Sequence, residues 1–174
     1  MADPRPSAGD ELLVALVICS DRAAAGARSD ETADKLRALL EAGRHRLAEV
    51  RVVPDERPAI ERALRELASG HSIVLTSGGT GLSPRDVTVE ATRAVIEREV
   101  PGLGEAMRAR SLAATPTAML SRATAGTLGR TLIVNLPGSP RGAVECLEVV
   151  LPALAHAARL LASAVADCRA ELKR

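Results

Sequence analysis

Ser72-Ile-Val-Leu-Thr-Ser-Gly-Gly-Thr-Gly81 is the stretch on which the reading of this 174-residue chain turns. Residues 72–76 form a short apolar run rich in β-branched side chains, the pattern of a buried strand, and that strand runs straight into glycines. Beyond them Val87, Ala91, Ala94 and Val95 recur at helical spacing. A strand, a glycine turn and a helix in that order make half of a βαβ unit, and the remainder of the chain supplies more of the same. Leu12 to Ile18 is a continuous apolar run of strand length, as expected for a strand covered on both faces of a parallel sheet. Asp30 to Glu41 places Ala33, Leu36, Leu39 and Leu40 on one helical stripe closed by Gly43. Val50, Val52 and Val53 predict a second strand ending at Pro54, and Pro58 to Ser69 a second helix with Ile60, Leu64 and Leu67 inward.

The alternation predicts an α/β domain with helices on both faces of a sheet. After one or two short helices between Pro101 and Leu120, the segments 122–127 and 131–135 flank Leu128-Gly129-Arg130 as a hairpin, so one antiparallel pair joins the parallel strands. Ala143 to Ala166 has a long helical pattern that Pro152 is expected to break or kink. No linker divides the chain, so residues 1–174 read as a single domain, with the polar segment 1–10 flexible.

Composition narrows the function. Leu, Val and Ile number 43 and Ala 32, enough for a close-packed aliphatic core, whereas Phe, Tyr and Trp are absent altogether. Binding of single-stranded nucleic acid on stacking platforms is therefore unsupported, as is a tyrosine acid. The net charge is +1 and the charges are interspersed, which argues against nucleic-acid or membrane partners. Cys19, Cys146 and Cys168 have neither pairing nor zinc spacing, and no secretory signal or spanning segment is visible, so a cytoplasmic protein is expected.

The glycine loop is the first place to look for chemistry. Gly78, Gly79 and Gly81 permit backbone N–H groups to converge on an anion, with Thr76, Ser77 and Thr80 offering hydroxyls; the same residues also build a plain tight turn. The loop matches neither the Walker nor the dinucleotide-binding pattern. Asp86, five residues after Gly81, suits magnesium beside a phosphate loop or, more plainly, a helix cap, although Thr88 is the better N-cap candidate. Asp55 ends the second strand and Ser20-Asp21-Arg22 the first, the edge at which open α/β sheets bind ligands, although each residue is also an ordinary turn former. Asn135-Leu136-Pro137-Gly138-Ser139-Pro140 brings a further strand-end loop to the start of the last helix. His45, His71 and His156 follow no ligand spacing.

Taken together these motifs resemble the molybdopterin adenylyltransferases, the Mog-type proteins and the G domain of gephyrin. The resemblance is collinear over roughly residues 12 to 165, through Ser20-Asp21-Arg22, Val53-Pro-Asp-Glu56, Leu75 to Gly81, Pro84-Arg-Asp-Val-Thr88, Met119-Leu-Ser-Arg122 and Asn135-Leu-Pro-Gly-Ser139. It implies a three-layer α/β/α fold with a mixed, mostly parallel sheet of about five strands, assembled as a homotrimer. It also implies Mg2+-dependent transfer of AMP from ATP to the molybdopterin phosphate, releasing pyrophosphate, with hand-over to a molybdenum insertase. Asp55 and Asp86 fall on the family's catalytic and metal-handling aspartates. Thr76, Ser77, Gly78, Gly79, Thr80 and Gly81 fall on the pterin-phosphate loop, with Ser20, Asp21, Ser111, Asn135, Pro137, Gly138 and Ser139 around the same pocket. MoaB-type relatives, which bind molybdopterin without adenylylating it, share much of this pattern but tend to differ at Arg85-Asp86-Val87-Thr88, and a scaffold role like that of gephyrin's domain is a further alternative. Val89 follows Thr88 where the family often has Pro.

Overall fold

The computed structural model describes residues 11–26 and 31–163; the segment 1–10 and the last residues of the expected C-terminal helix lie outside them. In chain order the elements are β1 (Leu13–Cys19), α1 (Asp21–Ala24), α2 (Glu31–Ala42), β2 (Arg46–Val53), α3 (Arg57–Ala68), β3 (Ile73–Ser77), α4 (Thr88–Val95), β4 (Arg98–Glu99), α5 (Pro101–Leu112), a 3-10 turn (Pro116–Leu120), β5 (Ala125–Leu128), β6 (Thr131–Leu136) and α6 (Pro140–Ala162). The strands form one sheet in the order β2-β1-β3-β6-β5-β4.

β1 is apolar throughout because it is flanked by β2 and β3 and covered on both sides. Its side chains alternate between two cores, as strand geometry requires. Val14, Leu16 and Ile18 pack with Leu36 and Leu40 of α2, Met107 of α5, and Leu147, Val150 and Leu154 of α6. Ala15, Val17 and Cys19 pack with Ile60, Leu64 and Leu67 of α3 and Ala91 and Val95 of α4. The three-layer α/β/α architecture follows from that division. Among the described residues no helix is long and apolar enough to cross a membrane.

β1, β2, β3 and β6 run parallel, so their carboxyl ends reach one edge of the sheet. β5 runs antiparallel to β6, and the chain therefore enters β5 at that same edge. Leu128 pairs with Thr131, leaving Gly129 and Arg130 as a two-residue turn in which Gly129 takes φ +56°.

The mixed sheet is as expected, with six strands against about five: Arg98 and Glu99 pair with β5 through the main chain, and their exposed charged side chains carry no strand signal and suit a short edge. Two local expectations are corrected. Thr88 is the first residue of α4, and Val87 takes the cap position without a side-chain bond. α6 is not broken at Pro152 but continues to Ala162. Pro152 and Glu148, whose carbonyl would have received the missing N–H, both lie on the exposed side of α6, where water can take that bond.

Candidate functional site

The glycine loop rises from the end of β3 between the ends of β1 and β6. Gly78 and Gly79 both adopt positive φ, +105° and +63°. A Cβ at Gly78 would lie 2.3 Å from the Cys19 carbonyl oxygen, and one at Gly79 would lie 2.2 Å from the Thr88 hydroxyl. Side chains are thus excluded twice, by conformation and by contact. The Gly78 N–H bonds to Leu136 O at 3.3 Å, whereas those of Gly79, Thr80 and Gly81 meet no acceptor among the described residues. These N–H groups are what an anion would find on the loop.

Below the loop lies a polar seam sealed from solvent. Asn135 Nδ2 donates to Thr76 Oγ1 at 3.0 Å and to Thr92 Oγ1 at 2.8 Å, and all three side chains are fully buried. The Ser77 hydroxyl donates to Pro137 O at 3.0 Å, tying the loops after β3 and β6 together. Gly138 extends this junction: a Cβ there would come within 3.1 Å of the Gly78 Cα. The side chains of Thr76, Ser77 and Asn135 therefore point their bonds inward and shape the loop from beneath.

On the β1 and β2 side the edge is charged. Asp21 N–H donates to Asp55 Oδ2 at 3.1 Å and Asp55 N–H returns a bond to Asp21 Oδ1 at 3.0 Å, a reciprocal pairing of two strand-end loops. Arg85 forks onto both oxygens of Asp21, Nε donating to Oδ2 at 3.1 Å and Nη2 to Oδ1 at 2.8 Å. Its guanidinium holds the Asp21 carboxyl below the usual carboxylate range. Burial raises the Asp55 carboxyl, and the negative charges of Asp21 and Asp86 add to that. Asp86 Oδ2 accepts the Ser83 N–H at 2.8 Å and lies 2.9 Å from where a Gly81 Cβ would be, so it closes its own loop beside the glycines. Ser20 caps α1 through a 3.2 Å bond from Ala23 N–H. Among the described residues no three His, Cys, Asp or Glu side chains converge as a preformed metal centre.

On the other side of the loop a cleft of about 450 Å³ opens between the glycine loop, α5, the 3-10 turn and the start of α6. Thr80, Gly81, Ser111, Pro137 and Ser139 all line it, so five of the residues singled out from sequence share one cavity. Ser139 caps α6, its Oγ accepting the Gly142 N–H at 3.2 Å, and Ser111 Oγ sits 3.7 Å from Cys146 Sγ. Arg141 borders the mouth, paired with Glu145 at 2.7 Å. The walls carry hydroxyls, aliphatic groups, sulfur and the charged side chains of Arg108, Arg141 and Glu145, and no aromatic ring.

Sequence reasoning missed the arginines that organise this edge. Arg85 and Arg122 were visible only as letters within Pro-Arg-Asp and Leu-Ser-Arg, and nothing in a lone Arg says which carbonyl or carboxylate it will meet. Arg108 donates to Ala123 O at 2.9 Å and lines the cleft.

The geometry can be set beside known proteins. The model of the probable molybdopterin binding domain matches residues 7–156. This chain belongs to that family. Within it, the chain is 48% identical over 145 residues to the molybdopterin adenylyltransferase of Haemophilus influenzae, covering 80% of this chain and 73% of that protein. It is 45% identical over 143 residues to the enzyme of the same name from Escherichia coli K12, with the same coverage of 80% and 73%. The crystal structure of the molybdopterin biosynthesis enzyme MoaB of Thermus thermophilus superposes with a TM-score of 0.81 at 51% identity, over 86% of this chain and 96% of that one. The family fold thus matches the mixed six-stranded sheet described above.

Proposed function

We propose that this chain is a molybdopterin adenylyltransferase, joining the AMP of ATP to the molybdopterin phosphate and releasing pyrophosphate. The observation that carries the reading is the adjacency of two unlike compartments. A cleft of about 450 Å³ with no aromatic ring shares Gly81 with the loop that presents Asp86, and Asp55 stands across the same edge. The identity of 45–48% to adenylyltransferases over four-fifths of the chain supports it.

The chemistry needs no covalent nucleophile from the protein. An oxygen of the pterin phosphate attacks the α-phosphorus of ATP, the bond from that phosphorus to the pyrophosphate oxygen breaks, and pyrophosphate departs with its electrons. Such a transfer asks for positioning and for neutralisation of charge. The N–H groups of Gly79, Thr80 and Gly81 bind and orient the pterin phosphate, and Ser111 and Ser139 give the cleft polar contacts for the rest of the ligand. Asp55 and Asp86 fit magnesium: each is a carboxylate with an oxygen to spare, and their mutual repulsion, felt at Asp55, is what a divalent cation would relieve. Magnesium, when bound there, neutralises charge on the transferring phosphates. The same reading has the chain working as a homotrimer that hands its product to a molybdenum insertase.

Incubating the purified protein with molybdopterin, ATP and magnesium and measuring pyrophosphate tests this directly; no release above background overturns it. Asp86→Asn should keep molybdopterin affinity while turnover falls by about 100-fold, the scale of losing one preorganised electrostatic group. Unchanged turnover would take Asp86 out of the mechanism. The 51% identity to a MoaB protein favours one second reading, molybdopterin binding without adenylyl transfer. That reading expects tight molybdopterin binding and no pyrophosphate from the same preparation.

A further inference from the structure

Arg122 stands in the loop between the 3-10 turn and β5, between two residues, Ser121 and Ala123, that line the cleft. Its own bonds all point the other way. The Arg122 N–H donates to Thr80 O at 3.0 Å, Nε to Gly81 O at 2.7 Å and Nη2 to Asp86 O at 2.6 Å, while Nη1 pairs with the Glu90 carboxylate in the first turn of α4. One guanidinium therefore holds both ends of the loop from Gly81 to Asp86. Within that loop the chain is closed by its own bonds, Ser83 N–H to Asp86 Oδ2 and Asp86 N–H to Ser83 O, both 2.8 Å. An internally closed loop moves as a unit unless something outside it fixes it; Arg85 ties it to Asp21, and Arg122 ties its two ends to the cleft wall. Arg is the side chain with a planar fork able to reach several acceptors at once; Lys offers a point charge on a flexible stem.

We propose that Arg122 is a positioning residue that pins the Gly81–Asp86 loop to the wall of the cleft, so that the cleft's occupant and the Asp86 carboxylate are held in one fixed relation. The catalytic half of this rests on the adenylyltransferase reading; the pinning itself does not. Arg122 touches no reacting atom and acts through the loop.

The test uses the full chain carrying Arg122→Lys, which keeps the charge opposite Glu90 and loses the fork. In the ligand-free protein, hydrogen exchange at the Ser83 and Asp86 amides should quicken by about tenfold, while the amides of β3 keep their protection. In the assay above, kcat should fall by about 10-fold or more with the Kd for molybdopterin, measured by equilibrium dialysis, within about threefold, because remote misplacement of a catalytic group costs rate rather than binding. Guanidinium ion added to Arg122→Ala should restore part of the lost rate. Glu90→Gln, which leaves both carbonyl bonds in place, should leave exchange at Ser83 and Asp86 within about threefold of wild type. Unchanged exchange in Arg122→Lys overturns the proposal, as does quickened exchange with unchanged kcat. Loss of protection spread equally through β3 would reduce Arg122 to a general stabiliser and overturn it too, and an effect of Glu90→Gln as large as that of Arg122→Lys would reassign the role to the ion pair. If the wild-type protein releases no pyrophosphate, the adenylyltransferase reading fails while the exchange measurements still decide whether Arg122 pins the loop.

Discussion

The glycine loop is held from its two sides by opposite means. On its buried side, against the end of β1, β6 and α4, the support is neutral and sealed: Thr76, Thr92 and Asn135 share hydrogen bonds at zero exposure, and Gly78 and Gly79 press against Cys19 and Thr88 with no room for a methyl group. On its solvent side, toward the loops that follow β1 and β2, the support is charged and wet: Asp21, Asp55 and Arg85 bridge three loops, with the Arg85 and Asp21 side chains about half exposed. The physics of the two supports differs accordingly. A buried donor or acceptor without its partner costs its whole desolvation, whereas an exposed ion pair trades water for a neighbour at little net gain. The sealed side should therefore govern whether the loop exists, and the charged side how it works.

The largest expected effect is on the sealed side. Gly78→Ala should destabilise the protein by roughly 3 kcal/mol or more, since a left-handed conformation and a collision with a main-chain carbonyl act together. A denaturant midpoint close to that of wild type would show that the loop can step away from Cys19. Next, Asn135→Ala should cost about 2 to 3 kcal/mol in chemical denaturation, the scale of orphaning buried hydroxyls and opening a small cavity. A cost near zero would mean the seam is not what supports β3 and α4. Asp21→Asn, on the charged side, should barely move the midpoint at pH 7 yet lower pyrophosphate release several-fold, because the Arg85 grip and the reciprocal bond to Asp55 are both weakened. The sign with pH is fixed. The Asp21 carboxyl is held below its ordinary value of 3.8, so whatever stability it contributes is present above that value and is lost as the pH falls through the depressed one. Wild type and Asp21→Asn should accordingly converge in strong acid; a gap that widens there would refute the pairing. The smallest effect is a silence. Burial pushes the Cys19 thiol up to about 12, so at pH 8 alkylation of the native protein should spare Cys19 until the chain unfolds. Ready labelling would show that the sealed side opens.

The contrast also explains what could be read from the sequence. The run Leu13–Cys19 is apolar at every step because both of its faces are covered, and a pattern that strong survives without any tertiary information. The glycine loop was legible for a similar reason, since successive glycines after a strand have few uses. Polar residues at strand ends were not equally legible. Ser111 and Asn135 are both small polar residues near the edge, yet Ser111 lines the cleft and Asn135 is spent inside the sheet; only the tertiary direction of each side chain separates them. The two-residue strand Arg98–Glu99 is made by main-chain bonds to β5 and left no mark on its side chains. Thr88 carried a capping signal, but it is the first residue of α4 and its hydroxyl lies against Gly79. Arg122 stands within a sequence motif, yet its role could not be read there because, Glu90 aside, its acceptors are carbonyl oxygens, which every residue possesses.

The absence of any aromatic ring from the cleft has an optical consequence. With no Trp or Tyr anywhere in the chain, the protein contributes almost nothing to near-ultraviolet absorption or emission. A conjugated ligand seated between Thr80, Ser111 and Ser139 would have no aromatic wall to quench it by stacking or electron transfer. The intrinsic fluorescence of a pterin, were one seated there, would then report its own surroundings against a dark background.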